Sequence, residues 1–311
     1  MPVRLAVATE DFGTPLKEAI RQAATCPVAG LRLNVRTEVR AEEFSETGLR
    51  QLKLFAAECR MSIAGLMCSS RRSLLESEDL DRRLDRIRVS MPLARKLGTR
   101  ELLVRCGRVP DPDDTGGSAD GAPDGMVLPD NSNVDSLKNP FSFAPSAAVS
   151  GERGRLATGA QRFDSLCEIL NDLARHADRS GCILQLVCAS FDINRIERLL
   201  GRIQSGPVGL VFDPATAVMT GSSPLAVFRT VYARVGYVRI RDAQKDVDGA
   251  GLEVPVGEGV VNWTELIPTI AESDYHGWLC VERPGGDDRA ADVRRGVDHL
   301  RSLLVTSGEN P

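Results

Sequence analysis

Short apolar runs alternate along this chain with longer segments whose apolar positions recur at helical spacing. Arg4–Thr9 reads as a strand and Pro15–Cys26 as the helix after it. The couple repeats as Gly30–Arg36 with Thr47–Arg60, then Ser62–Ser69 with Asp79–Gly98, then the strand Glu101–Cys106. In the third helix Leu80, Leu84, Ile87 and Met91 share one face, with Asp81, Arg82, Asp85 and Arg88 opposite. Gly98 supplies its stop. Further on come helix Gln161–Ala177, strand Cys182–Cys188, helix Asn194–Gln204, strand Val208–Phe212 and helix Pro224–Ala233. Strand Gly236–Ile240, a Gly-rich loop, helix Trp263–Ser273, strand Trp278–Val281 and helix Ala290–Leu304 complete the series. Eight βα units predict an α/β fold, the (β/α)8 barrel. A doubly wound sheet is the alternative, weakened because no G-x-G-x-x-G follows the first strand.

The alternation fails between residues 108 and 156, where six prolines mix with Gly, Asp, Ser and Asn. This reads as a long irregular insertion after the fourth strand, either without fixed structure or an ordered lid or oligomer contact. With 311 residues, the chain exceeds the roughly 250 of a typical barrel, and the insertion absorbs the surplus. Residues 1–311 therefore read as one domain.

Composition narrows the function. A net charge of −4 argues against a nucleic-acid surface. No apolar run reaches the ~18–20 residues of a membrane span, and the apolar run at the start is shorter than that of a signal peptide. The eight cysteines show no C-x-x-C spacing and sit mostly in apolar runs. They read as buried reduced thiols, which points to a cytoplasmic protein. Five of the 39 basic residues are lysine, which leaves 34 arginines. Histidine occurs only at 176, 276 and 299, none at the end of an expected strand.

The site of such a barrel lies at the carboxyl ends of its strands. The candidates there are Thr9, Glu10, Asn34, Arg36, Ser69, Arg105, Val187 to Ser190, Asp213, Arg239 to Asp242, Glu282 and Arg283. Arg239 and Arg241 share a strand face. Two carboxylates, Asp213 and Glu282, and two guanidiniums converging on one rim make either an ion-pair network or an anion site.

At these residues the chain resembles the xylose isomerase-like TIM barrels, which include sugar phosphate isomerases and epimerases. Val208-Gly209-Leu210-Val211-Phe212-Asp213-Pro214, followed by Gly221, is similar to the family's sixth-strand segment with its Asp-Pro-Gly-His run. Arg239-Ile240-Arg241-Asp242 is similar to its His-x-Lys-Asp, and Pro255-Val256-Gly257-Glu258-Gly259 with Asn262-Trp263 to its Gly-Glu-Gly loop. Tyr275-His276-Gly277-Trp278-Leu279-Cys280-Val281-Glu282 is similar to its Gly-Tyr-x-Gly-Trp-x-x-x-Glu ending. The resemblance implies a divalent metal (Mn, Zn or Mg) held by Glu, Asp, His and Glu from the fifth to eighth strands, with the glutamates moving protons along a sugar. Asp213 and Glu282 match two of those positions, Val187 and Arg239 fall on the other two, and Thr216 falls on a supporting His. Any residual metal would therefore rest on Asp213 and Glu282, and the expectation is that none is required and that Arg239 occupies the metal's position.

The expected function is a sugar (phosphate) isomerase/epimerase-like barrel. It would act on or bind a small carbohydrate or anionic sugar derivative, with Glu282 and Arg239 as the catalytic pair and Arg105, Arg241, Arg283 and Asp213 contacting substrate. The alternative is a non-catalytic barrel that binds an anionic sugar ligand or serves as an assembly partner. Nucleic-acid and membrane partners are not expected; a homo-oligomer is open.

Overall fold

The computed structural model describes residues 4–114, 157–245 and 251–306. The strands are β1 (Arg4–Ala8), β2 (Gly30–Asn34), β3 (Ser62–Cys68), β4 (Glu101–Gly107), β5 (Ile183–Cys188), β6 (Val208–Phe212), β7 (Val235–Ile240), β8 (Asp242–Lys245), β9 (Gly251–Val254) and β10 (Trp278–Val281). The helices are α1 (Leu16–Ala23), α2 (Glu46–Glu58), α3 (Leu80–Leu97), α4 (Gly159–Ser180), α5 (Ile193–Arg202), α6 (Pro214–Met219), α7 (Pro224–Val231), α8 (Trp263–Glu272) and α9 (Arg289–Thr306). All strands except β8 and β9 close into one parallel barrel, β1-β10-β7-β6-β5-β4-β3-β2. The barrel strands are buried toward both the axis and the helices, so they read in sequence as near-continuous apolar runs.

Two cores result. The larger lies between strands and helices. The smaller fills the barrel axis with Ala6, Ala8, Ala64, Met67, Leu103, Val187, Val211, Tyr237, Trp278 and Cys280. At the amino-terminal end, Gln185 also enters the interior, where its Nε2 donates to Glu101 Oε2 at 2.6 Å. Gly209 and Gly236 leave room for it, because a Cβ at either position would collide with the Gln185 amide.

Two departures from the expected elements lie near the carboxyl ends of the strands. Where one helix is expected after β6, there are two. Asp213 caps α6 by accepting a hydrogen bond from the Thr216 N–H at 3.2 Å, and Pro214 stands in the first helical turn. The expected Gly-rich loop after β7 contains the antiparallel hairpin β8–β9, which packs on α6. Asp242 organises the segment that follows. One carboxylate oxygen accepts from the N–H groups of Ala243 (2.9 Å) and Val261 (3.2 Å). The other accepts from the Gly257 N–H (3.0 Å) and the Trp263 indole Nε1 (2.8 Å). Residues 108–114 form an irregular exit from β4, and the rest of the expected insertion lies outside the described residues.

Candidate functional site

At the carboxyl ends of the strands, charged side chains alternate in one continuous chain. Glu10, just past β1, meets Arg32 of β2 at 2.7 Å. Arg32 meets Glu282, just past β10, at 2.9 Å. Glu282 meets Arg239 of β7 at 2.7 Å, and Arg239 meets Asp213 at 3.1 Å. Asp213 meets Arg241 at 2.7 Å, and Arg241 meets Glu253 of β9 at 3.1 Å. Glu253 stands 3.5 Å from Arg283, which pairs with Asp292 of α9 at 2.9 Å. Between Arg32 and Asp213 every member is at most 3% exposed.

The barrel geometry explains the alternation. Residues two apart in a strand share a face, so Arg239 and Arg241 both reach toward Asp213. Arg239 lies between Asp213 and Glu282, donating to the former through Nη1 and to the latter through Nε at 2.8 Å. Burial would raise the Glu282 carboxyl, but the Arg239 and Arg32 charges outweigh it and hold the group below the usual carboxylate range. At Asp213 burial is likewise outweighed, by Arg241 and Arg239. Burial alone would lower Arg32, yet Glu282 and Glu10 hold it well above its ordinary value.

A small cavity of about 80 Å³ opens above this chain. Of the residues expected in the site, Glu10, Asn34, Ser69, Arg105, Val187, Arg239 and Glu282 line it. Asp213, Arg241 and Arg283 lie outside its wall, engaged in ion pairs. Val187 of β5 contributes an apolar patch. Arg32 and Asp11 line it too, and neither is among the expected residues. A larger hollow, about 780 Å³, opens at the other end of the barrel against Arg4, Glu101 and Trp278. The ion chain and the strand ends that carry barrel chemistry are at the smaller one.

Asp11 differs from its neighbours. It is 2% exposed, accepts the Arg283 backbone N–H at 2.7 Å, and stands 3.7 Å from Arg289. Burial and the Glu10 charge push its carboxyl up to about 7, against the pull of Arg32 and the Arg283 N–H. Glu38 is also raised to about 7, by burial and by Glu10. A raised acid stabilises fully below its unfolded value, and that contribution is lost as pH rises through the folded one. Asp11→Asn should therefore flatten the decline in stability between about pH 4 and pH 7 by roughly 1–3 kcal/mol. Urea midpoints of variant and wild type at pH 5 and pH 8 test this; parallel declines would refute it.

Among the described residues no group of three or more His, Cys, Asp and Glu side chains is placed to hold a metal ion. A divalent cation between Asp213 and Glu282 would find two carboxylates already paired with guanidiniums, no imidazole, and the Arg239 charge against it. The side chains present do not fit one. His176 lies on α4, His299 on α9, and His276 pairs with Asp274 at 3.0 Å.

Known proteins share this architecture. The crystal structure of a xylose isomerase domain protein from Planctomyces limnophilus superposes with a TM-score of 0.71 at 16% identity, covering 99% of this chain and 98% of that one. A xylose isomerase-like TIM barrel protein from Mycobacterium smegmatis, in complex with magnesium, gives 0.67 at 16% identity over 98% and 97%. Among curated proteins, an inosose dehydratase of Bacillus thuringiensis is 29% identical over 102 residues, 28% of this chain and 34% of its own length. The chain thus spans about a third of the length of the first such relatives it matches. The family model for xylose isomerase-like TIM barrels matches residues 20–303. With its closed eight-stranded parallel barrel and a match over nearly its whole length, the chain belongs to the xylose isomerase-like TIM barrel family.

Proposed function

We propose that this protein takes a small anionic carbohydrate at the carboxyl-terminal mouth of its barrel and does so without a divalent metal. Arg239, seated between Asp213 and Glu282 and paired with both, carries the reading. It supplies positive charge at the position that the family resemblance gives to a metal ligand. The cavity wall itself carries four arginines, Arg32, Arg71, Arg105 and Arg239, against three carboxyl groups, Glu10, Asp11 and Glu282, which favours an anion. In this reading Glu282 and Arg239 form a binding scaffold. Glu282 faces a guanidinium on each oxygen and is held ionised, which makes it a weak proton carrier.

A second reading follows from Asp11. A buried carboxyl at the mouth with a pKa of about 7 suits proton transfer next to a carbonyl. Exchange of the carbon-bound protons of dihydroxyacetone in D2O, abolished by Asp11→Asn, would establish that reaction.

The binding reading is tested by thermal shift of the whole chain against D-glycerate, D-gluconate, D-glucose and glucose 6-phosphate, with EDTA or with manganese. An anionic sugar should raise the melting temperature equally in both. Stabilisation that requires manganese would overturn it. Seven of the eight cysteines are buried as small apolar side chains, which supports a reducing, cytoplasmic setting, and no helix among the described residues is long and apolar enough to cross a membrane.

A further inference from the structure

Arg32 is 2% exposed and lines the mouth cavity. Its Nη2 donates to Glu10 Oε1 at 2.7 Å. Its Nε stands 2.9 Å from Glu282 Oε1, but the two are misaligned and make no hydrogen bond. Its Nη1 is buried with no hydrogen-bond partner. Two neighbouring side chains of the cavity wall thus carry a buried donor without an acceptor, Arg32 Nη1, and a buried acceptor without a donor, Glu282 Oε1. Buried polar groups in folded proteins are overwhelmingly paired, and an unpaired one needs an explanation. The guanidinium is fixed by its carboxylate neighbours, so Nη1 cannot swing away to find water.

We propose that Arg32 anchors the ligand, and that the ligand is a short-chain hydroxy acid of three or four carbons. One carboxylate oxygen accepts from Arg32 Nη1, and the adjacent hydroxyl donates to Glu282 Oε1. An α-hydroxy acid carries that acceptor and that donor on neighbouring carbons. A cavity of about 80 Å³, well below the roughly 300–1,000 Å³ of drug-sized pockets, selects a short chain. A cavity of this size takes the compact, planar carboxylate more readily than the bulkier tetrahedral phosphate. The inference rests on the anion-binding reading above and names its substrate class and anchoring residue.

The test is calorimetric titration of the full chain with D-glycerate, glycerol and glycerol 3-phosphate. D-glycerate should bind, and glycerol and glycerol 3-phosphate should bind at least tenfold more weakly. Arg32→Lys keeps the charge and removes the fork, and should weaken D-glycerate at least tenfold. Asp164→Asn breaks the exposed Arg202–Asp164 pair on the outer helices and should leave D-glycerate affinity unchanged. If Arg32→Lys does not fold, a crystal structure of wild type with D-glycerate decides, by whether a carboxylate oxygen lies within about 3.2 Å of Arg32 Nη1. Unchanged D-glycerate affinity in Arg32→Lys, or tighter binding of glycerol 3-phosphate, overturns this inference and leaves the anion-binding reading standing. If none of the sugar acids binds, that reading falls and takes this one with it.

Discussion

Replacing Arg239 by methionine is expected to destabilise the barrel by about 3–5 kcal/mol at neutral pH and by less at pH 5. The guanidinium is 3% exposed and sits between two carboxylates that are equally buried. Methionine keeps much of the volume but leaves Asp213 with Arg241 alone and Glu282 with Arg32 alone. In the wild type both carboxyls are held below their usual range. Their stabilisation is present above the unfolded values and is lost as pH falls through the folded ones. Without Arg239, burial pushes both upward, so the variant should lose stability as pH rises through their new values. The difference between variant and wild type therefore grows from pH 5 to pH 7. Arg239→Lys should fall between, because an ammonium cannot bridge two carboxylates as a planar fork does. Urea unfolding at the two pH values measures this; equal stability of Arg239→Met and wild type at pH 7 would show that the ion chain is not coupled as described.

The second large effect is expected at Asp242. Four N–H donors converge on its carboxylate, two on each oxygen. Asp242→Asn preserves the shape but turns one acceptor into an NH2 group facing two N–H donors. Hydrogen bonds to charged groups contribute roughly 1.5–3 kcal/mol each, and buried unmet donors about 1–3. The substitution should therefore destabilise by at least about 3 kcal/mol, with hydrogen-exchange protection lost first over residues 255–263. Gly259 belongs to the same arrangement, since a Cβ there would strike the Asp242 carboxylate. Protection that stays uniform across the chain in Asp242→Asn would argue against this local role.

Most of the barrel was legible in the sequence because its strands are buried on both faces and its helices on one, so the two periods separate cleanly. The β8–β9 hairpin was not. Asp242-Ala243-Gln244-Lys245 and Gly251-Leu252-Glu253-Val254 offer little apolar alternation, and the pair stands because α6 supports it. The short α6 was hidden for a similar reason: six residues hold too little periodicity, although Asp213-Pro214 carried a capping signal. In the site, Asp213, Arg239 and Glu282 could be brought together by strand ends alone. Arg32 was overlooked in favour of Asn34 and Arg36, yet Leu31-Arg32-Leu33-Asn34 places a charge on the same face as Asn34 inside an apolar run. A buried strand bearing a charge on its axial face was the signal available. Asp11 could not be singled out, because its surroundings come from Arg283 and Arg289, which only closure of the barrel brings near.

The alternating ion chain bears on the order of events in folding. Its members come from both ends of the polypeptide; Asp11 and the Arg283 N–H beside it are 272 positions apart. Contacts of such separation form only after most of the loop-closure entropy has been overcome. They cannot guide the early search, in which neighbouring βα units assemble from local contacts. They act instead as a latch across the seam where β1 meets β10 and β2. A latch of this kind governs how slowly the closed barrel reopens more than how quickly it first closes.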